Sequence, residues 1–162
     1  MHPIRSAALV VNARSRSGQD NFRAAQELMR RLPFPVDARA VTEPNTLLKT
    51  THELLAAKPD LFVIGGGDGT VSCLVDEIVG AHTILGVLPF GTANSFARNL
   101  NIPLDVEGAV DVLRTGTPRR IDLGMIDGDY FANCAAIGLS PLIADSIPHG
   151  LKRYLGRIGY LS

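Results

Sequence analysis

Hydrophobic positions in the first 115 residues alternate between two rhythms. Ala7-Ala8-Leu9-Val10-Val11, Leu61-Phe62-Val63-Ile64 and Ile84-Leu85-Gly86-Val87-Leu88 are short, nearly unbroken apolar runs. That is the pattern of strands buried on both faces. Residues 36–41 alternate apolar and polar, which predicts a further strand. The stretches between carry helical spacing. Phe22, Ala25, Leu28, Met29 and Leu32 fall on one helix face, with Asp20 placed to cap it and Pro33 and Pro35 to stop it. Leu47, Leu48, Thr51, Leu54 and Leu55 predict a second helix, capped by Asn45 and ended before Pro59. Val71, Leu74, Val75, Ile78 and Val79 form an i, i+3, i+4, i+7, i+8 stripe. A short helix is predicted over 93–100, and Val106, Ala109, Val110 and Leu113 mark another. Strand and helix in strict alternation predict the α/β class, a parallel sheet with helices on both faces.

The rhythm changes at Thr115-Gly116-Thr117-Pro118. Residues 119–126 and 130–136 read as two strands joined by Asp127-Gly128-Asp129, a hairpin signal. A lone hairpin is marginal. The expected organisation is an α/β domain over 1–117, then the opening of an antiparallel β domain over 118–162, truncated before its remainder. In the tail, Leu151, Tyr154, Leu155, Ile158 and Leu161 have helical spacing, with Lys152, Arg153 and Arg157 between them. This predicts an amphipathic helix that packs on the second domain's sheet, with a membrane surface as the alternative use of its basic side. Its apolar face, if left open, would favour a homodimer.

Composition narrows the function classes. At 46% hydrophobic and 20% charged, the chain of 162 residues has enough apolar material for a core. Sixteen basic and sixteen acidic residues balance, which argues against a dedicated nucleic-acid binder. Cys73 and Cys134 are far apart, and His2, His52, His82 and His149 are scattered, so neither a disulfide framework nor a zinc site is implied. No apolar run approaches the ~18 residues of a membrane span. A cytoplasmic protein is expected.

Ligands of open parallel sheets bind beyond the carboxyl ends of the strands. Two loops there stand out. Gly65-Gly66-Gly67-Asp68-Gly69-Thr70 has four glycines in five positions. Such a loop can turn with positive φ, approach a ligand closely, and present N–H groups to phosphate oxygens at a helix start. A carboxylate beside a polyphosphate repels it unless a cation intervenes, so Asp68 reads as a magnesium ligand, a ribose or base contact, or a helix cap. Pro89-Phe90-Gly91-Thr92-Ala93-Asn94 is the second loop, with Thr92 offering a hydroxyl or a cap. Asn12 to Gly18, containing Arg14, and Thr42 lie in the two supporting loops. Neither main loop is a Walker P-loop or a Rossmann fingerprint.

With these residues the chain resembles the diacylglycerol kinase catalytic-domain family, in particular soluble bacterial lipid kinases, with sphingosine and ceramide kinases as distant kin. The matching pieces are GGGDGT between strand and helix, the loop Pro89 to Arg98, Asn12, Thr42, and Ile121-Asp122-Leu123-Gly124. NAD kinases and phosphofructokinases share GGDGT, so it is the spaced pair of loops that is specific. The resemblance implies an NAD kinase/diacylglycerol kinase-like nucleotide-binding domain. It implies transfer of the ATP γ-phosphoryl group, with magnesium, to a lipid hydroxyl, and hence phospholipid metabolism and transient contact with a membrane surface. Nucleotide contacts carried over by position are Asn12, Thr42, Gly66, Gly67, Asp68, Gly69, Thr70, Val71, Ser72 and Thr92. Asp68 and Asp122 would belong to a carboxylate–water–magnesium network. Ser72-Cys73 and Ser95 depart from the family pattern, the latter removing a commonly present carboxylate. The family's general base has no match here and is expected beyond Ser162, so the 162 residues alone are expected to be inactive. An NAD kinase-like enzyme and a non-catalytic nucleotide- or partner-binding module are the alternatives.

Overall fold

The computed structural model describes residues 3–14 and 16–132. Within them the chain forms β1 (Ala7–Asn12), α1 (Arg16–Met29), β2 (Val36–Val41), a single 3-10 turn at Pro44–Thr46, α2 (Leu47–Ala56), β3 (Leu61–Gly66), α3 (Asp68–Ile78), β4 (Ile84–Pro89), α4 (Ser95–Asn99) and α5 (Val106–Thr115). A hairpin of β5 (Gly124–Ile126) and β6 (Asp129–Phe131) follows.

Strands β1 to β4 make one parallel sheet in the order β2-β1-β3-β4. This order places the helices. From β1 to β2 the chain steps one way across the sheet; from β2 to β3 and on to β4 it steps the other way. Right-handed crossovers then put α1 on one face and α2 and α3 on the opposite face. The core divides accordingly. Leu9, Val11, Val63 and Leu88 face Ala25 and Met29 of α1 and Ala109 and Val110 of α5. Val10, Phe62, Ile64 and Val87 face Leu54 of α2, Val71 and Leu74 of α3, and Phe96 and Ala97 of α4. Successive strand residues feed opposite faces, which is why the central runs are apolar without interruption. Phe62 is fully buried, and truncating such a side chain to alanine costs about 3–5 kcal/mol.

Several boundaries differ from the pattern-based expectation. Helix α1 begins at Arg16, and Asp20 lies inside it, paired with Arg23 one turn on rather than capping. Asn45 falls in the 3-10 turn, where the Thr46 hydroxyl donates to the Glu43 carbonyl. Helix α4 spans only Ser95–Asn99. In the hairpin, residues 119–123 are outside β5, and of the expected second strand only Asp129–Phe131 is seen among the described residues. Its turn is the two-residue type expected of Asp-Gly, with φ 53° at Asp127 and 98° at Gly128. The hairpin rests on α3, where the Tyr130 amide donates to Asp76 Oδ1 at 2.8 Å. The predicted tail helix and Cys134 lie outside the described residues. Among the described residues no helix is long and apolar enough to cross a membrane.

Candidate functional site at the switch point of the sheet

The chain leaves β1 toward β2 on one side and returns to β3 on the other, so a crevice opens between the carboxyl ends of β1 and β3, the switch point of the sheet. Asn12 ends β1, and Gly66 ends β3. The Asn12 side-chain amide reaches across and donates to the Thr70 hydroxyl at 3.4 Å. The cleft has two adjoining lobes of about 370 and 360 Å³. Asn12, Arg14, Gly67 and Thr70 line both lobes. Gly18, Gly66 and Phe90 complete the first, and Val41, Glu43, Leu47, Gly69 and Cys73 complete the second.

The glycine loop works differently from its expected form. Gly65 and Gly66 belong to β3, and none of the four glycines has positive φ; Gly67 has φ −91°. Their value is steric. A Cβ on Gly65 would lie 2.7 Å from Val11 and 2.9 Å from the Phe90 ring, and one on Gly66 would lie 2.6 Å from Thr70. Gly67 and Gly91 bring the two loops together: a Cβ on Gly91 would stand 2.4 Å from the Gly67 Cα. Gly69 is the exception, because a Cβ there would meet nothing within 4 Å. Gly67 follows the strand and caps α3, its carbonyl accepting from the Thr70 and Val71 amides. The earlier first-turn amides of a helix have no acceptor within it and carry the positive end of its dipole.

Asn94 holds the second loop. It is buried and left-handed (φ 49°, ψ 45°). Its Oδ1 accepts from the Gly91 amide at 2.8 Å, and its Nδ2 donates to the Gly91 and Pro89 carbonyls. Asp68 crosses between loops. Its two oxygens accept from the Ser95 and Phe96 amides, each at 3.0 Å.

The candidate residues therefore separate. Asn12, Gly66, Gly67, Gly69 and Thr70 line the cleft. Thr42 and Thr92 are exposed in the loops after β2 and β4 and are not among its lining residues. Ser72 is exposed on α3 outside the lining. The Val71 side chain is buried in the core beside Leu74, and its amide donates to the Gly67 carbonyl. Asp68 and Asp122, the acids of the expected magnesium network, lie in different settings. The Asp68 carboxylate faces α4, Asp122 is exposed after α5, and among the described residues no three His, Cys, Asp or Glu side chains converge. Asn94 and Glu43 were not anticipated. An Asn just ahead of a helix, two residues after Gly-Thr, is the available signal for the first; nothing in the sequence distinguishes Glu43 from an ordinary surface acid.

The diacylglycerol kinase catalytic domain model matches residues 6–126. The chain belongs to this family. A protein of Pseudomonas syringae pv. tomato named "Probable lipid kinase YegS-like" is 34% identical over 159 residues, 97% of this chain and 52% of the relative. A "Diacylglycerol kinase" of Staphylococcus epidermidis is 37% identical over 108 residues, 65% of this chain and 34% of that protein. The crystal structure of a diacylglycerol kinase from Bacillus anthracis str. Sterne superposes with a TM-score of 0.79 at 25% identity, covering 99% of this chain and 54% of that one. The fold is thus that of the diacylglycerol kinase family, and membership supports a lipid kinase. The chain spans about half the length of the curated relatives it matches over nearly its whole length.

Proposed function

We propose that the protein is an ATP-dependent lipid kinase acting on a lipid hydroxyl of the diacylglycerol kind, and that these 162 residues supply its nucleotide-binding part. The observation that carries this reading is the cleft at the switch point, lined by the glycine loop and open at Gly69. Protein packing does not ask for a glycine at residue 69; a phosphate group drawn close to the first turn of α3 does. In this reading Asn12, Gly66, Gly67, Gly69 and Thr70 hold the triphosphate, and Arg14 at the mouth offsets its charge. Thr42, Ser72 and Thr92 meet the remainder of the nucleotide from the rims. Magnesium, carried with the triphosphate, would neutralise charge that develops during transfer.

Phosphoryl transfer asks mainly for positioning and charge stabilisation. The close-packed loops fix where the phosphates lie. The lipid pocket, and the acid that orients the lipid hydroxyl, belong in this reading to the part of the relatives' length that the chain does not span. Such an acid contributes about 10²–10⁴ in rate. The α/β domain over 1–117 then binds nucleotide, 118–162 opens the lipid-binding domain, and the 162 residues alone turn over little. A cytoplasmic protein that meets the membrane surface transiently fits this division.

Calorimetric titration tests the reading. ATP is expected to bind, AMP much more weakly, and Gly69→Ala to reduce ATP affinity at least about tenfold while stability shifts by less than about 0.5 kcal/mol. Absence of ATP binding, or equal binding by Gly69→Ala and the parent, would remove the glycine loop from the site.

A further inference from the structure

We infer that Asp68 is a positioning residue: its carboxylate caps α4 from the neighbouring loop and clamps the two ligand loops together, in place of ligating a cation. This rests on the nucleotide reading only for its consequence; the clamp itself stands on geometry. Asp68, the first residue of α3, follows the N-cap residue Gly67. It serves a helix that starts 27 residues later, each carboxylate oxygen taking one of the first two α4 amides. Helix α4 needs an outside cap because its own N-cap residue is engaged elsewhere. Asn94 is left-handed, and both ends of its side-chain amide are committed to the Pro89–Gly91 backbone.

A five-residue helix does not hold itself together. Phe96 and Ala97 anchor its underside in the core, and Asp68 closes its exposed end with charge-assisted bonds. The same region holds the Gly67–Gly91 backbone contact and the Phe90 amide donating to the Gly66 carbonyl at 3.0 Å. Loop two is therefore fixed to loop one by three separate devices: a backbone hydrogen bond, a glycine–glycine contact and the Asp68 cap. Ser95, whose amide Asp68 receives, adds no second carboxylate next to it. The donor set suits a cap, with two amide donors on one carboxylate, and among the described residues no three His, Cys, Asp or Glu side chains gather as a cation site would need.

The test uses Asp68→Ala and Asp68→Asn in two measurements. The first is amide hydrogen exchange without ligand. Exchange at Ser95 and Phe96 is expected to accelerate at least about tenfold in Asp68→Ala and by an intermediate factor in Asp68→Asn, which keeps one acceptor oxygen. Amides of β1 and β3 should stay protected, showing that the fold persists. Unchanged exchange at Ser95 and Phe96 would overturn the clamp. The second is ATP affinity with and without magnesium. A clamp predicts that Asp68→Ala weakens both forms by the same factor; a loss confined to the magnesium form would make Asp68 a metal ligand and overturn the inference. If exchange accelerates as expected but the parent protein binds no ATP in either form, the clamp stands and the nucleotide reading falls.

Discussion

The two ends of the parallel sheet are built by opposite means. At the amino end, the connections into β3 and β4 are ordinary tight turns, with positive φ at Lys58 (52°), Gly80 (84°) and His82 (43°). Plain hydrogen bonds close it: Ala7 to the Pro35 carbonyl, Leu61 to Ser6, Ile84 to Asp60, and the Arg5 amide to the Asp60 carboxylate. At the carboxyl end, Gly65, Gly66, Gly67 and Gly91 have unexceptional φ and stand where other atoms occupy the space a Cβ would take. The contrast separates two uses of glycine that a sequence cannot tell apart. One supplies a conformation, and the other removes an atom. Only the second brings two backbones into contact beside a cleft.

Exchanging the glycines breaks this contrast most severely. Gly91→Ala drives a Cβ into the Gly67 backbone, which has no flexible side chain to yield, and is expected to lower stability by about 3 kcal/mol in urea denaturation. Gly80→Ala meets open space but a φ of 84°, so its cost is backbone strain of about 1–2 kcal/mol. Gly80→Asn should recover part of that loss, whereas Gly91→Asn should recover none. Equal responses at the two ends would dissolve the distinction.

A site away from both ends calibrates these losses. Thr51 in α2 is fully buried, and its hydroxyl has no hydrogen-bond partner among the described residues. Thr51→Val is expected to raise stability by about 1 kcal/mol by removing an unsatisfied polar atom. A loss there would mean that the hydroxyl is satisfied in solution.

The smallest effect belongs to the amino end. Bonds from Arg5, first from its backbone amide and then from its guanidinium, hold the Asp60 carboxyl below the usual carboxylate range. A folded-state pKa below the unfolded one stabilises at pH above the unfolded value and loses that contribution as pH falls through the folded one. Asp60→Asn should therefore be slightly less stable than the parent at neutral pH, and the gap should close in acid, below about pH 4. A gap that widened in acid would reverse the sign.

Much of this architecture was legible in the chain because its signals are local. The runs at Leu9-Val10-Val11 and Phe62-Val63-Ile64, the α3 stripe and the Asp127-Gly128 turn each report on their own neighbourhood. The stripe also places Val71 in the core, where it is found. What sequence reading missed depends on distant partners. The Asp68 carboxylate is spoken for by amides 27 and 28 residues away. The need for Gly91 arises from Gly67 across the loop junction. The start of α1 escaped for a different reason: Asp20 looks like a cap but pairs with Arg23 on the surface.

The central claim is that the carboxyl end of the sheet, and not its amino end, receives a nucleotide triphosphate. Amide chemical shifts of the protein during titration with ATP test it directly. The account predicts saturable shifts concentrated at Asn12, Gly66, Gly67, Gly69 and Thr70, with Leu61, Gly80 and Ile84 undisturbed. Shifts centred on the amino-end turns, or none at residues 66–70 at saturating ATP, would contradict it.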